Sequence, residues 1–410
     1  MAKTKNSTAD IIVSGGGIAG LGFALLMADL GLDIHLIDPS APQPLKDTNP
    51  SGRTIALMHS SLNIIKAAGL NEPEKFGAPL KTMRIIDNSI AGQREQVSDF
   101  ESIDIGMDAY GYNIPNSMLR SALYELAQEH KHISLHVPQK LNDFRIEGNG
   151  VLARLDNGTE ISAPLIVGAD GRKSLVRAIA GIDVSEKNYS QSAMTFIINH
   201  SKSHQNIATE FHRPSGPLAL VPMQGNQCSV VWVEKTEKAN ELVKIKKQDF
   251  ESVLQDAIGD TLGTINLETG PAAWPLCSIK AKSLIAPHVA LIAEAAHVMS
   301  PITAQGLNLS LRDVAALAEV LADGARAGLA LSDPALLKKY EKRRSLDLNS
   351  RVNGVDGMMR LVSNDILPLK SLRRGGFKLL DALPPLKQFA MTQGLAPPND
   401  RGRLASGEKL

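Results

Sequence analysis

A chain of 410 residues with 43% hydrophobic and 21% charged side chains is long enough for two structural units and too apolar for extensive disorder. Its 44 basic and 43 acidic residues nearly cancel, which argues against nucleic acid or any other polyanion as a partner. No run approaches the roughly 20 uninterrupted apolar residues that a membrane-spanning helix needs, so any membrane contact is expected to be peripheral. Cys228 and Cys277 lie in no metal-ligand spacing and read as buried thiols, and no apolar leader precedes Ile11; both point to the cytoplasm.

Ile11-Ile12-Val13 reads as a short buried strand and residues 21–30 as a helix closed by Gly31. A second strand over 34–37 ends at Asp38, which completes a parallel βαβ unit. Ser60-Ser61 offers a cap for a helix through Leu70, and Asn116 a cap for one reaching about Glu129. Between 151 and 169 two alternating runs flank Asp156-Asn157-Gly158, a pair suited to the positive φ angles of a hairpin turn. From Met194 to Glu234 alternating apolar segments separated by Gly, Pro and Asn turns predict an antiparallel sheet, different in character from the first unit. A helix over 248–258, a buried strand over 289–292, a helix over 306–322 and another opened by Asp333-Pro334 complete the pattern. Residues 360–390 carry six Lys or Arg against two Asp among apolar side chains, and read either as a packed helical pair or as an amphipathic surface for lipid or a partner. The tail over 397–410 is polar and expected to be loose.

Gly15-x-Gly17-x-x-Gly20 follows a strand and opens a helix, and Asp38 lies 18 residues beyond Gly20. The glycines permit a tight turn, close approach of backbone to a pyrophosphate and close packing of helix on strand; the acid can bond ribose hydroxyls. The segment from Gly15 through Ile18 and Ala19 to Gly20 therefore reads as a dinucleotide site. By itself it does not distinguish NAD from FAD.

Two more segments stand out: Gly168-Ala169-Asp170-Gly171-Arg172 after an apolar strand, and Ala293-Glu294-Ala295-Ala296-His297, which leads through Pro301 to Gly306-Leu307-Asn308. In this order and spacing the three segments resemble the fingerprints of class A flavoprotein monooxygenases, over nearly the whole chain. The closest resemblance is to their ubiquinone-biosynthesis hydroxylases, which Arg53-Thr54-Ile55-Ala56-Leu57, Gly111-Tyr112-Asn113-Ile114-Pro115-Asn116, Gly216-Pro217-Leu218 and Val230-Val231-Trp232 also fit.

The resemblance implies an α/β fold: a glutathione-reductase-like Rossmann FAD-binding domain with an inserted antiparallel-sheet substrate domain and C-terminal helices. The FAD domain would comprise 1–75, 105–185 and 275–345, the substrate domain 76–104 and 186–274, and the helical segment 346–400. It further implies FAD ligands at Gly15, Gly17, Gly20, Asp38, Arg53, Asn116, Asp170 and Gly171, with Glu294 on the ribityl chain. Free N–H groups of Gly306, Leu307 and Asn308 would face the flavin pyrimidine and Pro301 would lie beside the reacting ring. Where the family commonly has Gly-Asp this chain has Ala293-Glu294, a carboxylate one methylene longer. His297 matches a structural histidine, and Asp170 has a second reading as the cap of a helix entered near Ser174.

The implied reaction uses NAD(P)H as a transient reductant and O2, and hydroxylates a polyprenylated phenol by way of a flavin hydroperoxide. No metal is called for. Arg213 and His212 are expected to be ordinary solvated side chains rather than the reductant's receptor. Other ubiquinone-biosynthesis proteins are conceivable partners, and the expected location is cytoplasmic, with contact confined to the inner face of the membrane. Two alternatives remain at this point: an FAD-dependent reductase of a quinone or isoprenoid, and a flavin-binding assembly subunit of a lipid-biosynthesis complex.

Overall fold

The computed structural model describes residues 6–49, 53–87, 95–299, 306–362, 375–376, 379–395 and 402–410, with the side chains of 349–362 outside that description. The strand Ile11–Ser14 is buried on every residue, as an apolar run at the centre of a parallel sheet must be. It pairs in parallel with Ile34–Ile37 on one side and Leu165–Gly168 on the other. The sheet continues in parallel to Ile133–His136 and Val289–Leu291, and Ile285–Ala286 closes one edge antiparallel. The helix Ile18–Ala28 links the first two strands and is buried along its whole length, packed against the helices Gly306–Arg326 and Asn116–Glu129. Because these strands run the same way, their carboxyl ends share one edge of the sheet, where ligands of open α/β sheets bind. The loops carrying Gly15, Asp38, Ala169 and Ala293 all leave from that edge.

A nine-stranded, mostly antiparallel sheet forms the second layer, and the alternating segments read between 194 and 234 all fall within it. Its backbone is the long strand Val184–His200, paired with Gln227–Lys235 and Ala272–Ala281. The helix Lys247–Ile258 covers one face through Phe250, set edge-on to Phe196 at 5.1 Å and tilted against Trp232 at 5.9 Å. The hairpin strands Thr82–Asp87 and Gln96–Glu101 join this sheet by parallel pairing with Ile207–His212. A separate three-stranded sheet contains Thr54–Met58, Gly111–Pro115 and Ala78–Leu80. Neither pairing was visible in the sequence, since contacts between distant segments leave no local period.

Several local expectations need correction. The helix His59–Ala67 begins one residue before Ser60, with Met58 at its cap and no side-chain cap bond. Asn116 is the first residue of its helix, not the cap, because Pro115 occupies that place and the Asn116 N–H donates to Arg53 O. In the hairpin only Gly158 takes a positive φ, while Asn157 uses its side chain to accept from Thr159 N at 2.9 Å. Asp333 does cap its helix, accepting from Ala335 N at 2.7 Å. The tail is not loose over 402–410: Leu404 is fully buried, its N–H donates to the buried Glu319, and Asn63 donates to Ala405 O. A single apolar residue flanked by matched polar groups suffices to dock it. Much of 360–390 lies outside the described residues; the helix Pro384–Leu395 buries Met391 and exposes Leu386 and Phe389. Among the described residues no helix is long and apolar enough to cross a membrane.

Cys228 and Cys277 are free and buried, as read from the sequence, and burial pushes the Cys228 thiol up to about 12.

On the edge strand of the parallel sheet, His136 Nε2 lies 3.0 Å from His35 Nδ1. Burial lowers both pKa values below the ordinary 6.5, so the unfolded chain binds more protons than the folded one as the medium acidifies. This contribution is complete above the unfolded value and declines as pH falls below it. Urea midpoints measured from pH 7 to pH 5 should therefore drop, and drop less in His136→Gln. Identical pH slopes in the two proteins would refute the assignment.

Candidate functional site

The turn between the first strand and its helix is built so that only glycine fits. Gly15 has φ +114°, and a Cβ there would sit 2.2 Å from Ala169 O; one on Gly20 would sit 1.9 Å from Gly15 O. These two glycines close the turn against the chain itself. Gly17 is different: it precedes the helix in extended conformation with no side-chain cap, and a Cβ on it would meet nothing within 4 Å. The helix therefore starts beside open space at Gly17, and its first N–H groups, those of Ile18, Ala19 and Gly20 among them, have no intrahelical acceptor and carry the positive end of its dipole. That is a cradle for an anion.

Asp38 stands at the end of the neighbouring strand. Its Oδ2 accepts from Gly16 N at 2.6 Å and its Oδ1 from Ser40 N at 2.9 Å. Arg120, which the sequence reading did not single out, donates to Gly16 O at 2.8 Å, Ser40 O at 2.6 Å and Asp38 Oδ1 at 3.1 Å. One guanidinium thus ties the glycine turn to the acid. Its partners lie 80 to 104 residues away in the chain, so no local spacing marks it.

Asp170 fulfils the capping role: its Oδ2 accepts from Leu175 N and Val176 N, while Ser174 Oγ caps Arg177 N. Its Oδ1 is buried with no partner among the described residues, the mark of a group awaiting one. Gly171 beside it has φ +81°. Arg177 donates to Arg172 O and to Ala295 O at 2.8 Å, so the second and third motifs are bonded together.

In the third motif Ala293, Ala295, Ala296 and His297 are buried and Glu294 alone is exposed, at the carboxyl edge of the sheet. Ala293 holds φ +57°, a left-handed conformation that disfavours any Cβ. It is held there by Asp313 Oδ2, which accepts from Ala293 N at 2.9 Å and sits 2.6 Å from His297 Nε2. Asp313 Oδ1 in turn accepts from Arg344 Nε at 2.7 Å, and Arg344 also reaches Asp347. His297 therefore has the structural role its pattern implied. Ala293→Gly should remove the left-handed strain and raise stability by about 1 kcal/mol. Thermal denaturation decides it: a melting temperature equal to or below that of the parent means that Ala293 is unstrained.

Asn308 lies in the first turn of the Gly306–Arg326 helix, 6% exposed. Its carboxamide accepts from Met58 N at 2.9 Å and donates to Ala56 O at 2.8 Å, acting as a strand partner for Thr54–Met58. Both ends of the carboxamide are thus bound to that strand. Pro301 lies outside the described residues. The Arg53 guanidinium is 5.7 Å from the centroid of Trp274, on the nine-stranded sheet. His212 is not solvated, being 4% exposed beside Glu210, and Arg213 is only partly exposed, stacked on Trp232 at 5.1 Å. Burial lowers the Arg213 pKa against the pull of Glu234. Among the described residues no group of three or more His, Cys, Asp or Glu could hold a metal ion.

An uncapped helix start, an orphaned carboxylate oxygen on Asp170 and an exposed Glu294 converge on one sheet edge, beside a large antiparallel sheet. That combination fits a dinucleotide bound across the carboxyl edge of a Rossmann-type parallel sheet. The family model described as an FAD binding domain matches residues 8–352; the chain belongs to that family, and FAD is its cofactor. Ubiquinone hydroxylase UbiL of Rhodospirillum rubrum is 31% identical over 95% of this chain and 90% of its own. The 3-demethoxyubiquinol 3-hydroxylase of Escherichia coli is 28% identical over 95% of this chain and 99% of its own. Among solved structures, p-nitrophenol 4-monooxygenase PnpA from Pseudomonas putida superposes with TM-score 0.77 at 15% identity, covering 98% of this chain and all of that one. Klebsiella pneumoniae HpxO, solved with FAD and uric acid, superposes with TM-score 0.73 at 14% identity over 95% of this chain and 97% of that one.

Proposed function

We propose that this protein is an NAD(P)H- and O2-dependent FAD monooxygenase that hydroxylates the aromatic ring of a polyprenylated phenol in ubiquinone biosynthesis. The observation that carries the reading is the convergence of Gly17, Asp170 and Glu294 at one sheet edge, in a chain alignable almost end to end with a named ubiquinone hydroxylase. In this reading the parallel-sheet unit holds FAD, the nine-stranded sheet with Thr82–Asp87 and Gln96–Glu101 walls the substrate, and the C-terminal helices close one side.

FAD supplies the activation of O2 and the transfer of one oxygen atom to the ring. The chain's part is to bind, orient and exclude water. Gly15, Gly17 and Gly20 admit the pyrophosphate to the N–H groups of Ile18 and Ala19, and Asp38 takes the adenosine ribose. Arg53, Asn116, Asp170 and Gly171 flank the dinucleotide, Glu294 accepts from the ribityl hydroxyls, and Gly306, Leu307 and Asn308 turn backbone N–H groups toward the pyrimidine. The helix dipole behind them would favour negative charge on the flavin ring. The reductant binds transiently. Peripheral contact with the inner face of the membrane, and with other ubiquinone-biosynthesis proteins, fits a prenylated substrate.

The test is the purified holoprotein given NADH or NADPH, O2 and a prenylphenol, with oxygen uptake and product mass followed together. A ring-hydroxylated product supports the reading. Tight flavin binding without substrate-dependent oxygen uptake sinks it, and reduction of a quinone in its place assigns a reductase.

A further inference from the structure

Tyr110 lies at the seam between the three-stranded and nine-stranded sheets. Its backbone is fixed on both sides: the N–H donates to Leu80 O at 2.8 Å, and the carbonyl accepts from His59 N at 3.1 Å. The adjacent Gly111 pairs with Met58, whose own N–H is bound by Asn308 at 2.9 Å. Tyr110 is therefore one strand pairing away from the helix start assigned to the flavin. Its ring is 2% exposed, in an apolar cluster with Met58, Leu80, Met83, Phe100, Val221 and Met391, drawn from both sheets and the C-terminal helix. Met83, Phe100 and Val221 keep part of their surface accessible.

Among the described residues the hydroxyl of Tyr110 has no hydrogen-bond partner. Buried hydroxyls are almost always satisfied, because water is lost on burial and nothing apolar replaces it. The side chains that pack around it are apolar, and no described residue supplies the partner, so a bound molecule is the group that can. We propose that this cluster is the seat of the substrate ring and that the Tyr110 hydroxyl donates a hydrogen bond to a ring oxygen of the substrate, making Tyr110 a specificity-determining residue. The inference rests on the hydroxylase reading above.

Donation, rather than acceptance by a tyrosinate, follows from the surroundings: burial first, then the carboxylates of Asp104 and Glu101, push the Tyr110 pKa far above its ordinary value. The same carboxylates disfavour a bound phenolate. The chemistry that fits is a neutral ring bearing a phenol, methoxy or carbonyl oxygen on an otherwise apolar body, as a prenylated ring has.

The experiment compares the FAD-loaded parent with Tyr110→Phe, using a prenylphenol and a prenylbenzene that lacks the ring oxygen. Binding is followed without turnover through the absorbance change of the oxidised flavin. Loss of one hydrogen bond should weaken binding of the phenol about three- to tenfold and leave the prenylbenzene unchanged. In the turnover assay KM for the phenol should rise and less product should form per NAD(P)H consumed. Without ligand, Tyr110→Phe should be as stable as the parent or more so, because no protein partner is left behind. Equal phenol affinity in the two proteins, equal losses for both ligands, or a less stable ligand-free variant would each overturn the proposal. A parent that binds neither ligand and forms no product overturns the hydroxylase reading, and this inference with it; a working parent with an indifferent variant overturns the inference alone.

Discussion

Asp313→Ala is expected to destabilise the protein by about 3–5 kcal/mol and to empty it of flavin. Asp313 and Arg344 are both fully buried, and the carboxylate serves three groups at once: Ala293 N, His297 and Arg344. Removing it leaves a buried guanidinium whose described carboxylate partner is then Asp347 alone, and frees an N–H that held Ala293 in a left-handed turn. Glu294 would then lose its aim, because the turn that exposes it is no longer fixed. Thermal denaturation should show a fall of about 10 °C, and flavin should dissociate on gel filtration. A fall under about 2 °C with flavin retained would mean that the cluster is not a structural support.

The acid response of this cluster is separable from that of the histidine pair. Burial by itself would raise the Asp313 pKa, but His297 and Arg344 outweigh it and hold the carboxyl below its ordinary 3.8. For an acid so depressed, stability is present above the unfolded value and is lost only as pH falls through the folded one. The His35–His136 loss begins as pH falls below the ordinary 6.5 and the Asp313 loss only as it falls below the ordinary 3.8, so the histidine pair responds first.

The parallel unit was legible because its signals are local. A buried apolar strand, a glycine turn, a helix without polar residues and an acid at fixed spacing all lie within 28 residues, from Ile11 to Asp38. The antiparallel sheet was legible as a type from its alternation, but its membership was not. Thr82–Asp87 joins through a parallel partner more than a hundred residues away, and no period records that. Site residues expected to touch the ligand were read from motifs. Those whose role is to hold other residues were not: Arg120 on Asp38, Asp313 under Ala293, and the side chain of Asn308 on Met58 are long-range polar contacts with no spacing rule. Tyr110 escaped for a related reason, since its adjacent motif residues Gly111 to Asn116 drew attention to the strand rather than to the ring before it.

Gly17→Ala separates the ligand's requirement from the fold's. Alanine accommodates the φ of −76° and ψ of 177° seen at Gly17, and its methyl group would meet nothing within 4 Å. The cost to the free protein is confined to a slightly poorer helix cap, about 1 kcal/mol at most. If the pyrophosphate approaches the helix start here, that methyl group enters its van der Waals space and flavin affinity should fall at least tenfold, or about 1.4 kcal/mol. Gly20→Ala is the contrast: its Cβ would lie 1.9 Å from Gly15 O, so the turn must open and both stability and flavin binding are lost. Denaturant midpoints of the flavin-free proteins, paired with flavin titration by fluorescence quenching, read the two effects independently. A Gly17→Ala protein that binds flavin as tightly as the parent would place the pyrophosphate elsewhere, and with it the direction in which the flavin crosses the sheet edge toward Glu294 and Asn308.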